Sequence, residues 1–173
     1  GGGSESDQWK IKCDVKNGKV IGIVARLRIE KGHGILFESF KIVLQEIPNV
    51  ILLIVGDGPD RVELQKKAKA LGINDNIRWI GSLVPDDVYR MYSIMDAVAV
   101  PSVYEGFGLS AAEAMAASRP VVASNLDGLS EIVEDGITGY LVPPSKESIS
   151  EKLIALLSAS VRARNTGRAG RDR

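Results

Sequence analysis

Two glutamates are the side chains best suited to chemistry. Glu105 lies in a glycine-bearing loop, and Glu113 follows eight residues later, about one turn into an alanine-rich segment that should be helical. Carboxylates hold sugar or ribose hydroxyls by accepting their hydrogen bonds, so a loop that folds back would bring both glutamates to one ligand. The spacing suits a sugar nucleotide, although Ser110 and Glu113 match a capping box at the helix start equally well.

The loop and helix start between these glutamates form a candidate anion site. The first N–H groups of a helix lack intrahelical partners and carry partial positive charge. Gly106 and Gly108 have no Cβ atom, so the backbone there can approach a phosphate closely. We therefore expect the backbone N–H groups of Gly106, Phe107, Gly108 and Leu109 to face a bound diphosphate.

A pair of cations follows the first predicted strand. Residues 19–25 are a continuous, largely β-branched run, which indicates a strand buried on both faces. Arg26 and Lys31 lie in the next loop, which opens a helix from about Gly34 to Glu46. Open α/β sheets bind ligands at the carboxyl ends of their strands, where these cations should lie. Considered alone, such a pair is more typical of a solvated loop.

Strands and helices alternate along the chain. Further strands are predicted over residues 50–55, 77–80, 97–100 and 120–123 and within 136–144. Further helices are predicted over residues 60–71, from a cap at Asp86 or Asp87 to Met95, and over 129–134 and 145–157. The alternation predicts an α/β fold, a Rossmann-like doubly wound parallel sheet of about six strands.

Length and composition bound the class of protein. The chain has 173 residues, 45% of them hydrophobic and 25% charged, with a formal net charge of zero, which indicates one ordinary globular domain. Nothing in this balance indicates a nucleic-acid partner. There is no signal-peptide pattern and no apolar run of roughly twenty residues. The lone cysteine, Cys13, fits a reducing compartment, so we expect a cytoplasmic location.

Three separated segments carry a family resemblance, which covers residues 19–144. The segment from Glu105 to Glu113, continued by Ala-Met-Ala-Ala-Ser-Arg-Pro-Val-Val-Ala-Ser, resembles the E-x7-E signature of retaining glycosyltransferases of family 4, which have the GT-B fold. The loop with Arg26 and Lys31 resembles that family's G-R-L-x-x-x-K-G element, with Ala25 in place of its first glycine. The third segment, residues 120–144, ends in a stretch similar to the family's G-G-x-x-E-I-V-x-D-G-x-x-G-x-L-V-P-P, with Asp127 in place of its first glycine. Ser118 replaces the glycine expected before Arg119 and Pro120.

The resemblance implies a role for each site residue. Arg26 and Lys31 would bind the diphosphate of a nucleoside-diphosphate-sugar donor, and Glu113 would hold its ribose hydroxyls. Glu105 would be the catalytic carboxylate that binds and orients the donor sugar. The loop near Leu83 would contact the nucleobase through its backbone, which leaves the choice between UDP, GDP and ADP sugars open. Family members of this fold generally need no metal, and no cofactor is implied.

The resemblance also implies a domain organisation. Residues 19–157 would be the nucleotide-sugar-binding C-terminal domain of a GT-B enzyme, preceded by a flexible lead or interdomain connection over 1–18. Residues 158–173 are predicted as a basic, disordered tail. The acceptor-binding N-terminal domain is missing, so we expect this chain to bind donor but to turn over little alone. That missing domain would also carry any peripheral membrane association. His33, the only histidine, is predicted to be solvated.

Two other classes of function stay open. One is a different GT-B activity on a sugar nucleotide or glycan, such as epimerisation or phosphorolysis. The other is a non-catalytic nucleotide-binding module built on the same sheet. The E-x7-E spacing favours the transferase. A phospho-accepting receiver domain is disfavoured, because the first strand ends in Ala25-Arg26 with no acidic cluster.

Overall fold

The protein folds as a parallel sheet with helices on both faces. The computed structural model describes residues 4–15, 18–102, 109–125, 133 and 139–159. The strands are β1 (Val20–Val24), β2 (Ile51–Val55), β3 (Ile77–Gly81), β4 (Ala97–Val100), β5 (Val121–Ser124) and β6 (Gly139–Val142). The α-helices in these ranges are α1 (Glu5–Lys12), α2 (His33–Glu46), α3 (Arg61–Ala70), α4 (Pro85–Tyr92), α5 (Leu109–Ala116) and α6 (Lys146–Ser158), and short 3-10 helices span Ile29–Lys31 and Asn74–Asn76. The predicted α/β class and its six parallel strands are confirmed.

The strand order places a crevice next to β1. The six strands lie in the order β3-β2-β1-β4-β5-β6, so the chain winds outward from β1 in one direction and then from β4 in the other. β1 pairs with β2 along its whole length, from Val20 opposite Ile51 to Val24 opposite Val55. It pairs with β4 through Ile21 and Gly22. Such a reversal of direction is the switch point at which open α/β sheets have their ligand crevice.

Each central strand contributes to two apolar clusters, one on each face of the sheet. In β1, Ile21 and Ile23 belong to the cluster under α2, α3 and α6, whereas Val20 belongs to the cluster under α1, α4 and α5. Side chains alternate across a strand, so both sets of positions must be apolar. This requirement explains the continuous apolar runs of β1 and β2.

Helix α1 lies within residues 1–18, which were predicted as a flexible lead or an interdomain connection. The Ser4 hydroxyl accepts a hydrogen bond from the Asp7 N–H at 3.1 Å, and the Asp7 carboxylate accepts one from the Ser4 N–H at 3.2 Å. This is a reciprocal capping box, and the spacing Ser4-x-x-Asp7 was a readable signal for it. Trp9 packs on the second cluster. The helix is therefore held by its cap and by tertiary contact.

Helix α4 begins differently from the prediction. Its N-cap is Val84 and Pro85 occupies the first turn, so the predicted cap at Asp86 or Asp87 is wrong. Proline presets the helical φ and lacks the N–H that would otherwise be unpaired there. The two aspartates instead lie in the first turn, where their charge favours the positive end of the helix. The helix ends at Tyr92 and not at Met95.

The C-terminal elements follow the prediction closely up to residue 158. The Ser145 hydroxyl caps α6 by accepting from the Ser148 N–H at 3.2 Å. The helix includes Ser158, one residue beyond the predicted domain limit. The helix predicted over 129–134, apart from the buried Val133, and the tail from residue 160 lie outside the described residues.

Candidate functional site

A pocket of about 680 Å³ lies at the carboxyl ends of β1, β2 and β3. Helices α4 and α5 contribute its remaining wall. The lining comprises Val24, Ala25, Arg26, Lys31, Val55, Gly56, Asp57, Ser82, Leu83, Pro85, Val88, Tyr89, Tyr92, Ser110 and Glu113. Four residues singled out from the sequence, Arg26, Lys31, Leu83 and Glu113, are thus brought together in one pocket. Glu105, Gly106, Phe107 and Gly108 lie outside the described residues, and Leu109 begins α5.

The loop after β1 is held in place by a buried leucine between its two cations. Leu27 is fully buried; its N–H donates to the Asp57 carbonyl at 3.1 Å, and its carbonyl accepts from the Asp60 N–H at 3.0 Å. This anchors the loop to the loop after β2. Arg26 and Lys31, on either side of it, line the pocket and give it two positive charges.

The capping-box interpretation of Ser110 and Glu113 is wrong. Ser110 lies inside α5, and its hydroxyl donates to the Val24 carbonyl at 2.6 Å, which ties α5 to the end of β1. Glu113 is exposed, and its Oε2 accepts a hydrogen bond from the Tyr92 hydroxyl at 3.1 Å. The Glu113 carboxylate is therefore held at the pocket by a neighbouring helix.

Sequence reasoning missed Tyr92. This side chain is fully buried, and burial together with the nearby Glu113 carboxylate raises the pKa of its phenol. The hydroxyl therefore stays protonated and remains a hydrogen-bond donor at neutral pH. A buried tyrosine usually needs a partner for its hydroxyl. That general rule was the available signal, but the sequence did not name the partner.

His33 corrects another prediction. It was expected to be solvated, yet its side chain is only 1% exposed at the start of α2. Among the residues that the structure describes, neither of its ring nitrogens has a hydrogen-bond partner. Burial lowers the pKa of His33 to about 4, with Asp60 opposing that shift and Lys31 reinforcing it. At neutral pH the imidazole is therefore uncharged and shielded from solvent.

The described residues contain neither a cluster of metal ligands nor a membrane-spanning helix. In those ranges, no three His, Cys, Asp or Glu side chains are grouped so that they could hold a metal ion. No described helix is long and apolar enough to cross a membrane.

The fold and the site together define the class as a doubly wound α/β domain with a ligand-sized pocket at the carboxyl ends of β1, β2 and β3. Residues 5–173 match the model of the family described as "Glycosyl transferases group 1". The chain therefore belongs to this family, and the resemblance seen in the sequence is confirmed.

Individual relatives agree with the family assignment. The chain is 36% identical over 157 residues to the D-inositol 3-phosphate glycosyltransferase of Segniliparus rotundus, which covers 88% of this chain and 35% of that protein. The fold superposes on Anabaena Alr3699/HepE, crystallised with UDP, with a TM-score of 0.91 at 25% identity over 99% of this chain and 48% of the other. It also superposes on the C-terminal domain of LpcC, a group 1 glycosyl transferase from Francisella tularensis, with a TM-score of 0.84 at 30% identity over 99% of this chain and 91% of the other. The chain thus spans about a third of the length of the curated relatives it matches.

Proposed function

We propose that this chain is the donor-binding domain of a retaining, metal-independent glycosyltransferase that uses a nucleoside-diphosphate sugar. The observation that carries the proposal is the convergence of Arg26, Lys31, Leu83 and Glu113 on one pocket. These residues come from separate parts of the chain and were selected from the sequence for complementary parts of one ligand.

In this proposal the two cations of the pocket stabilise the leaving group of the reaction, the nucleoside diphosphate. Arg26 and Lys31 neutralise the diphosphate, and the backbone N–H groups of residues 106–109 support it at the start of α5. As the anomeric centre gains oxocarbenium character, negative charge grows on the departing diphosphate. Cations and a helix N-terminus aimed at that charge stabilise the transition state more than the bound donor. Glu105 binds the donor sugar and orients it.

The opposite part of the pocket receives the nucleoside. Glu113 accepts hydrogen bonds from the ribose hydroxyls, and the loop at Leu83 meets the nucleobase through its backbone. Pro85, Val88 and Tyr89 line the same side and offer an apolar wall to a planar base. Uridine is the first base to test, because HepE, at 25% identity, was crystallised with UDP and with UDP-glucose.

The pocket is one side of a larger active site in this proposal. The aligned part of this chain covers about a third of each matched relative, and the solved LpcC fragment is described as a C-terminal domain. An N-terminal domain would bring the acceptor to the exposed rim, so this chain alone binds donor and turns over little. The whole enzyme is cytoplasmic, and any association with a membrane surface uses the N-terminal domain.

Calorimetric titration with UDP, GDP and ADP in the presence of a chelator tests the proposal. We expect one nucleotide to bind, and Arg26→Ala and Glu113→Ala each to weaken it by about tenfold or more, since each removes a hydrogen bond that involves a charged group. Lys41→Ala and Glu46→Ala are matched controls, because these exposed residues of α2 lie outside the pocket lining. Binding that needs a divalent metal, or pocket variants that behave like the controls, would contradict the proposal.

A further inference from the structure

Tyr92 lies in the pocket, but the proposed function gives it no role. Its hydroxyl is 3.1 Å from Glu113 Oε2 and 3.4 Å from the Ser110 carbonyl oxygen. A phenol has one proton to donate, and the shorter contact is to a carboxylate, which makes it the stronger hydrogen bond. The main interaction of the hydroxyl is therefore with Glu113.

The two partners differ in freedom of movement. The Tyr92 side chain is fully buried in the cluster under α4 and α5, so its hydroxyl is a fixed point. Glu113 is exposed on α5, where a glutamate ordinarily samples several rotamers. A ligand that needs one of those rotamers must bear the loss of side-chain entropy, unless the protein has already ordered the side chain.

The backbone under Glu113 is also fixed. Ser110 lies three residues before Glu113 in α5, and its hydroxyl donates to the Val24 carbonyl at the end of β1. With the helix held by Ser110 and one carboxylate oxygen held by Tyr92, the second oxygen, Oε1, has a defined position at the pocket. Two hydrogen bonds from different elements thus order a side chain that is otherwise exposed.

We propose that Tyr92 is a positioning residue whose hydroxyl orients the Glu113 carboxylate toward the ribose hydroxyls, and so sets the preference of the pocket for ribonucleotides with both hydroxyls present. This inference rests on the proposed function, which assigns the ribose contact to Glu113. It extends that function, because discrimination at the ribose then depends on a residue that does not contact the sugar.

The test compares the affinity of wild type and Tyr92→Phe for UDP, 2′-deoxy-UDP and 3′-deoxy-UDP. Wild type should bind UDP more tightly than at least one deoxy analogue. Tyr92→Phe should bind UDP about 3- to 10-fold more weakly, the range for one lost hydrogen bond, and should lose much of that preference. Tyr140→Phe is the matched control, because Tyr140 lies on β6 outside the pocket lining.

A second arm separates positioning from a merely structural role. Phenylalanine keeps the buried ring, so Tyr92→Phe should fold, and its thermal unfolding is measured alongside. In a Glu113→Ala background, Tyr92→Phe should cause no further loss of UDP affinity, because the carboxylate it orients is absent. If Tyr92→Phe weakens all three nucleotides equally, or weakens UDP as much in that background, Tyr92 is structural and the inference is overturned.

The same titrations distinguish failure of the inference from failure of the proposed function. If wild type binds UDP, prefers it to the deoxy analogues and loses that preference in Glu113→Ala but keeps it in Tyr92→Phe, only the inference fails. If wild type binds GDP or ADP in place of UDP, the deoxy analogues of that nucleotide are used instead. If wild type binds none of the three nucleotides, or if Glu113→Ala binds the preferred nucleotide like wild type, the ribose site itself is refuted and the inference fails with it.

Discussion

Acidification should destabilise this protein through His33. The pKa of His33 is lowered from 6.5 to about 4 in the folded state, because the imidazole is buried. The unfolded chain therefore takes up a proton first as the pH falls. The stabilising contribution of the neutral imidazole is complete above pH 6.5 and is lost as the pH falls toward 4.

The magnitude follows from the two pKa values. Between pH 7.5 and pH 5 the loss should be about 2 kcal/mol of unfolding free energy, and about 3 kcal/mol when the folded state also begins to protonate. That is a large fraction of the roughly 5–15 kcal/mol that stabilises a typical domain. Because Asp60 opposes the shift and Lys31 reinforces it, both must be kept intact in the measurement.

Two measurements check this expectation. His33 is the only histidine, so its imidazole proton resonances in an NMR titration report this site without ambiguity. They should not move between pH 8 and pH 5. In parallel, chemical denaturation of wild type and His33→Leu at several pH values should give a stability difference that grows by about 2 kcal/mol in favour of the leucine variant on going to pH 5. A resonance that titrates with a midpoint near 6.5, or a stability difference independent of pH, would refute the reasoning.

Two backbone positions give further predictions. Gly32 has φ +83°, and a Cβ atom there would lie 2.0 Å from the Pro101 carbonyl oxygen, whereas Gly72 has φ +73° and open space. Gly72→Ala should lower the free energy of unfolding by about 1 kcal/mol through backbone strain, and Gly32→Ala should lower it more, as measured by chemical denaturation. Equal losses would show that Pro101 moves away to make room for the added Cβ atom. Ser118 has φ +60°, and its buried hydroxyl has no hydrogen-bond partner among the described residues, so Ser118→Gly should stabilise the protein by about 1 kcal/mol. A denaturation midpoint for Ser118→Gly that is equal to or lower than that of wild type would contradict this prediction.

The buried strands were the most predictable part of the fold. β4 was predicted with its observed ends, Ala97 and Val100, and β2 was one residue too long. A strand packed on both faces needs apolar residues at every position, so its extent can be read from composition alone. Helix ends were less predictable, because several residues compete for each cap. At α4 the proline of Val84-Pro85 determines the start, although two aspartates follow immediately.

Four of the predicted site residues lie together, but the contacts that hold them could not be read from the sequence. Arg26, Lys31, Leu83 and Glu113 line one pocket because parallel strands place their carboxyl ends at the same edge. Local sequence could not decide whether Glu113 is a cap, because its partner Tyr92 lies 21 residues away on another helix. For the same reason the burial of His33 depends on tertiary packing that no local pattern records.

The pairing of β1 with β4 has a consequence for the order of folding. Val20 and Asp96, 76 residues apart, are joined where the Val20 N–H donates to Asp96 Oδ2 at 2.8 Å. Closing a loop of that length costs about 4 kcal/mol of chain entropy beyond a constant, whereas the shorter separation between Val20 and Ile51 costs about 3 kcal/mol. We expect the β1–β3 unit to form first and β4 to join it later, an order that pulsed hydrogen exchange during refolding would reveal. The pocket is lined by residues that precede β4 in the chain and by residues that follow it. A bound nucleotide would therefore favour the state in which β4 is paired with β1 over every state in which it is not.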